Sequence, residues 1–149
     1  TSNNFHITGI QLEVGEYTST DLPPFRHESL GNNLRRCERY YEKSYPIDVA
    51  PGSVSNTAIL GDGSAGATTT AYLSATAKFR VSKRATPTVT VYDDTGTINK
   101  VNASTPGVTS TAGQTSSTGT IGSNSFIAYR TTGDDRSNIF YHFTAEAEL

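Results

Sequence analysis

Two stretches of this chain alternate apolar and polar residues with a period of two, and they constrain the fold more than anything else in it. From Ala71 to Val81 one face carries Ala71, Leu73, Ala75, Ala77, Phe79 and Val81, and the other Tyr72, Ser74, Thr76, Lys78 and Arg80. From Ile139 to Leu149 the pattern returns, with Ile139, Tyr141, Phe143, Ala145, Ala147 and Leu149 set against Phe140, His142, Thr144, Glu146 and Glu148. A pleated backbone sends every second side chain to one face, so each stretch reads as a strand with one side inward. The inward sides are rich in alanine. Small residues let two sheets approach closely but bury little area each. A core this thin gains from neighbouring copies, which predicts self-association, with a monomer built on a small tight core as the alternative.

The rest of the chain supports a fold of short strands and turns. Its 149 residues suffice for one main domain, 34% of them hydrophobic and 17% charged, and about a quarter are Ser or Thr. Thr88 to Tyr92 reads as a strand beginning after Pro87. Asp93-Asp94-Thr95-Gly96 is a hairpin turn signal, and Thr97 to Asn102 is expected to return. Ala103 to Asn124, rich in Ser, Thr and Gly, reads as weak strands with long loops or as a partly mobile stretch. Ser125 to Thr131 is strand-like, and Gly133 to Asn138 is a turn. Upstream, Phe5 to Val14 reads as a strand closed by Gly15, with a bulge where its apolar parity switches at Gly9. Glu16 to Glu28 contains Pro23-Pro24 and forms an extended connector. The one convincing helix spans Ser29 to Lys43, capped by Ser29 or Asn32. Leu30, Leu34, Cys37 and Tyr41 form its apolar stripe, and Arg35, Arg39 and Lys43 the opposite one. Ser44 to Asn56 is expected to be irregular. The resulting division is strand and connector over 1–28, helix over 29–43, and an antiparallel β-sandwich or jelly roll over 44–149.

Several function classes recede on the same residues. The net charge of −2 argues against nucleic acid as a partner, and no apolar run approaches the roughly 18 residues of a membrane span. The single cysteine, Cys37, excludes an intrachain disulfide and fits assembly in a reducing compartment. With no Met, Thr1 is no initiator, and the chain is expected to be a fragment or a processed product. No G-x-S-x-G motif is present, and Cys37 on an apolar stripe reads as packing rather than as a nucleophile. Glu146 and Glu148, about 7 Å apart on one strand face, are the one carboxylate pair with glycosidase-like spacing. A charged outer face explains them more simply, so no enzyme is expected. His6, His27 and His142 are isolated from one another, so no metal or cofactor is expected. A structural ion on a threefold axis is the one such role left to His6 or His142. Arg35, Arg36, Arg39 and Lys43 offer a basic face for phosphate or an acidic polysaccharide, with a solvated face paired with Glu38 and Glu42 as the simpler reading. Sugar binding uses aromatic faces and planar polar groups on loops. Two clusters carry that chemistry: Tyr92, Asp93, Asp94 and Asn99, and Tyr129, Arg130, Asp134, Asp135 and Arg136.

Three segments carry a family resemblance. They are Ile7-Thr8-Gly9-Ile10-Gln11-Leu12-Glu13-Val14-Gly15 with Pro24-Phe25, then Cys37-Glu38-Arg39-Tyr40-Tyr41-Glu42-Lys43, and the closing Phe143-Thr144-Ala145-Glu146-Ala147-Glu148-Leu149. Together they resemble a recurring element of bacteriophage tail-fibre, tailspike and prophage structural proteins. It covers about the first third of the chain and the last strand; Pro46 to Asn124 matches in style alone. The family usually reads Ala-Thr-Pro-Phe-Glu after the first strand. Thr20 to Arg26 departs from this with a longer connector, so the helix is expected to dock differently. In the family that strand often ends a carbohydrate-binding sandwich. None precedes it in this sequence, so Phe5 to Val14 is expected to find another sheet or a neighbouring subunit. The resemblance implies a homotrimeric virion appendage, joined to other virion proteins through the region upstream and often contacting host cell-surface polysaccharide. It carries over no catalytic residue. Two readings follow: a receptor-binding tip whose loops contact glycan, or a trimerisation and capping module or capsid-decorating protein without a ligand. The second places the subunit interface on the first strand and on the helix, at Leu30, Leu34, Cys37 and Tyr41.

Overall fold

A computed structural model describes residues 10–18, 20–63, 72–104, 110–131 and 137–148. The chain forms one short helix and two antiparallel sheets, the β-sandwich with a single helix that the alternation predicts. Helix α1 covers Leu30–Glu38. The strands are β1 Tyr41–Lys43, β2 Leu60–Gly63, β3 Tyr72–Lys78, β4 Thr88–Tyr92, β5 Lys100–Ser104, β6 Thr111–Thr115, β7 Ser117–Gly119, β8 Ser125–Thr131 and β9 Asn138–Glu146.

β9 is the spine of the larger sheet. Residues 144–146 pair with β1 along one edge and β4 along the other. Residues 138–140 likewise lie between β2 and β5, and β6 extends the sheet beyond β5. The smaller sheet runs β3-β8-β7. Opposed in register, Ala75 meets Ala128 and Ala77 meets Phe126. The two inner faces enclose Leu73, Ala75, Ala77, Phe126, Ala128, Val91, Val101, Ile139, Tyr141, Phe143 and Ala145, all buried. Phe126 sits at the centre, 5.1 Å from Phe143 and 5.8 Å from Phe79, ring to ring. Alanine around these rings is what lets the sheets close on them. As the alternation requires, Ser74, Thr76 and Lys78 of β3 are exposed.

Several expectations need correction. The helix starts at Ser29, whose hydroxyl accepts from the Asn32 N–H, but it stops at Glu38 rather than Lys43. Tyr41-Glu42-Lys43 instead becomes β1, because pairing with β9 outweighs local helix preference. Lys43 is therefore no part of a helical basic stripe, and this pairing ties the end of the 29–43 segment into the sandwich. Cys37 is exposed rather than packed in the core. Residues 10–14 form no strand within the chain; Phe5 to Gly9 lie outside the described residues, as do Ala71, Leu149 and the 133–136 part of the expected turn. The turn at 93–96 forms, but β4 and β5 share no hairpin ladder beyond an isolated bridge between Tyr92 and Ile98. Between 103 and 124 the described residues contain β6 and β7, the weak-strand alternative.

One buried ion pair closes the end of the sandwich next to the helix. Lys83 Nζ lies 2.6 Å from Glu42 Oε2, their side chains 0% and 3% exposed. The Glu42 carboxylate also accepts the Arg80 N–H, and Lys83 also donates to the Glu38 carbonyl. Glu38 pairs with Arg80 at 3.2 Å, so these two glutamates bind the 80–83 loop and not the helix arginines. Removing one partner of a buried pair leaves an uncompensated charge. Lys83→Met is expected to cost about 3 kcal/mol or more, and the double variant with Glu42→Gln markedly less, measured by denaturant unfolding.

Candidate functional site

The first loop cluster is built around Asp93. Its carboxylate accepts from the Thr95 hydroxyl at 2.6 Å, and from the N–H groups of Thr97 at 2.8 Å, Gly113 at 2.9 Å and Thr95 at 3.0 Å. Burial alone would raise its pKa. The hydrogen bonds, led by that of the Thr95 hydroxyl, outweigh burial and hold it below the ordinary value. Asp93 is fully buried and organises the turn from within, so it presents no face to a ligand. Asp94 is partly buried and Asn99 is exposed with a left-handed backbone. Gly96, at φ +81°, touches Gly52: a Cβ there would meet the Gly52 carbonyl oxygen at 2.0 Å. That contact seats the 46–58 loop against the turn.

The 46–58 loop covers the outer face of β9, where His142 and Thr144 are also buried. Tyr45 stacks on the His142 ring at 3.9 Å, and Tyr92 meets Tyr45 edge-on at 6.0 Å. The Phe143 N–H donates to Ser44 Oγ at 2.9 Å, and the Ser44 hydroxyl lies 3.0 Å from His142 Nδ1. His142 Nε2 lies 3.0 Å from the Ser55 carbonyl. A neutral ring with its proton on Nε2 satisfies all three bonds. Burial lowers the His142 pKa, against the opposing pull of the Ser55 carbonyl and the Asp94 charge. Tyr92 thus serves the packing of this layer.

The second cluster divides across β8. Arg130 points inward, buried, and donates to Gln114 Oε1 at 2.9 Å. Tyr129 faces outward and half-buried, its ring against Gly119 of β7, where a Cβ would meet the ring at 2.9 Å. Asp134, Asp135 and Arg136 lie outside the described residues. Tyr92 sits on the larger sheet and Tyr129 on the outward side of the smaller one, so these two tyrosines do not share a face. Glu146 and Glu148 are both exposed. Among the described residues no three His, Cys, Asp or Glu side chains gather as a metal site.

A different concavity lies beside the helix. A groove of about 550 Å³ is bounded by Leu34, Cys37 and Glu38 of α1, by Tyr41 to Ile47, and by Ala58 and Arg80. A second hollow of about 310 Å³ shares Glu42, Lys43, Ser44, Ala58 and Arg80 with it and continues along β1. Leu34, Cys37, Tyr41 and Ile47 of its lining are exposed, and so is Leu30 one turn earlier on the helix. The helical spacing pointed to the stripe. The alternation of Tyr41, Lys43 and Tyr45 against Glu42 and Ser44 was the available signal for the strand that makes the stripe a groove.

No family model, no curated protein and no solved structure matches the chain.

The buried imidazole makes stability depend on pH. Folded His142 resists protonation, while the unfolded chain takes up a proton near the ordinary 6.5. Stability is complete above that value and falls as pH drops below it, levelling off under the lowered folded pKa. Unfolding free energies of the wild type across this range are expected to show that decline, and those of a His142→Gln chain to lack this component. Asp93→Ala, which strands four donors, is expected to cost at least about 2 kcal/mol at neutral pH in the same unfolding assay.

Proposed function

We propose that this chain is the terminal domain of a fibre-type bacteriophage appendage, a non-enzymatic multimer whose sandwich contacts host-surface polysaccharide. The observation that carries the reading is the apolar face shared by α1 and β1. A helix of nine residues is marginal alone, and this one buries Glu38 while leaving Leu30, Leu34 and Cys37 in water. Above an alanine-rich core, such a face favours association with other copies. The resemblance of the Gln-Leu-Glu and Cys-x-Arg-Tyr-Tyr segments supports the appendage. For glycan contact, Tyr129 lies along the outer face of the small sheet, an aromatic surface of the kind on which a sugar ring stacks, and Asn99 adds an exposed amide on a rigid turn. Weak binding at each copy would be strengthened by multivalency.

Asp93 and Arg130 favour a second reading. Both side chains are consumed inside the fold, which removes two of the polar groups a glycan site would use and supports a trimerisation and capping module without a ligand. Binding of the purified chain to host cells and to extracted surface polysaccharide separates the two. The first reading expects saturable binding, competed by free polysaccharide and weakened about tenfold by Tyr129→Ala. A stable multimer that binds neither supports the capping module.

A further inference from the structure

Resting on the multimeric reading above, we propose that residues 10–14 of one copy add as a strand to the β1 edge of a second copy. Gln11 Nε2 donates to Glu13 Oε1 at 2.9 Å, so these two side chains share one side of an extended backbone. Ile10, Leu12 and Val14 share the other side and are 77%, 93% and 97% exposed. The segment is tied to its own chain by polar bonds, from the Arg26 N–H to Gln11 Oε1 at 2.7 Å and from Gln11 Nε2 to the Pro24 carbonyl at 3.5 Å. It is thus an extended segment with an exposed apolar side, and the one main-chain partner found for it among the described residues is the Tyr17 hydroxyl, which donates to the Val14 carbonyl at 3.2 Å.

The β1 edge offers what that strand lacks. The Ala147 N–H donates to the Tyr40 carbonyl at 2.7 Å and the Ser44 N–H to the Phe143 carbonyl at 3.0 Å. The alternation of an antiparallel ladder then turns the amide groups of Tyr41 and Lys43 away from β9, toward the groove. Leu34, Cys37 and Tyr41 line that groove with apolar surface. Charge agrees as well. Residues 10–25 contain Glu13, Glu16 and Asp21 and no basic residue, while Lys43 and Arg80 line the groove and its two carboxylates, Glu38 and Glu42, are already paired with Arg80 and Lys83. An extended apolar strand on an open sheet edge gains main-chain hydrogen bonds and side-chain burial together.

Because Cys37 lines the groove, Leu12→Cys supplies a thiol for it across the contact. Mild oxidation of the L12C chain is expected to give covalent multimers on a non-reducing gel, and adding Cys37→Ser is expected to abolish them. Leu12→Glu and Leu34→Glu, at exposed positions, are each expected to release single chains from the assembly without changing the far-UV spectrum. Multimers that survive both glutamates, or an L12C chain that forms no Cys37-dependent cross-link, overturn the strand contact and leave the multimeric reading in place. A wild-type chain that is single at every concentration overturns both.

Discussion

The structure depends on β9 being paired along both edges and covered on both faces. Its nine residues, Asn138–Glu146, are the common partner of β1, β2, β4 and β5. Among the described residues no other strand holds those four in one sheet, so the placement of the helix, the 46–58 loop and the 93–97 turn follows from it. The inward side, from Ile139 to Ala145, is one wall of the core. The outward side would be solvated in a simple two-layer sandwich, but at its centre it is sealed by Tyr45 stacking on His142. That seal makes a polar loop layer part of the folded body, and it explains why a histidine on a strand's outer face ends up with both nitrogens bonded.

The same economy appears at the ends of the sandwich. Apolar burial is concentrated in a few rings around Phe126, and alanine fills the space between the sheets. Where the apolar core stops, charged groups take over. Glu42 and Lys83 close one end, and Asp93 ties the β4 turn to Gly113 of β6. Buried charges cost desolvation and are tolerated when each lone pair and proton finds a partner. They also specify which loops meet, which a core of interchangeable small residues does poorly.

Legibility in the sequence followed physical locality. β3, β4, β8 and β9 could be read because their periodicity or their β-branched and aromatic content records a half-buried sheet. β2, at Leu-Gly-Asp-Gly, could not: nothing in it favours a strand, and it exists because β9 offers an edge. The helix was overextended by five residues for the same reason, since Tyr-Glu-Lys is compatible with a helix until β9 captures it. The candidate site divided along the same line. The apolar stripe of Leu30, Leu34, Cys37 and Tyr41 was visible as spacing, and its exposure is what the structure adds. Asp93 and Arg130 have glycan-binding chemistry by residue type, but burial is a property of the whole fold and redirects both into it. Tyr45, Ala58 and Arg80 complete the groove from three separate segments, which no local pattern brings together.

In the proposed appendage reading, a module of this kind places a rigid body at the end of a fibre and repeats it around an axis. The sandwich supplies the rigidity. The edge of β1 that is unpaired among the described residues, the exposed stripe of α1 and the extended 10–14 segment supply surfaces for that assembly. Sedimentation equilibrium of the wild-type chain over a wide concentration range tests that account most directly. It predicts a defined multimer, three chains in the appendage reading, that persists on dilution; the mass of a single chain throughout the range would contradict it.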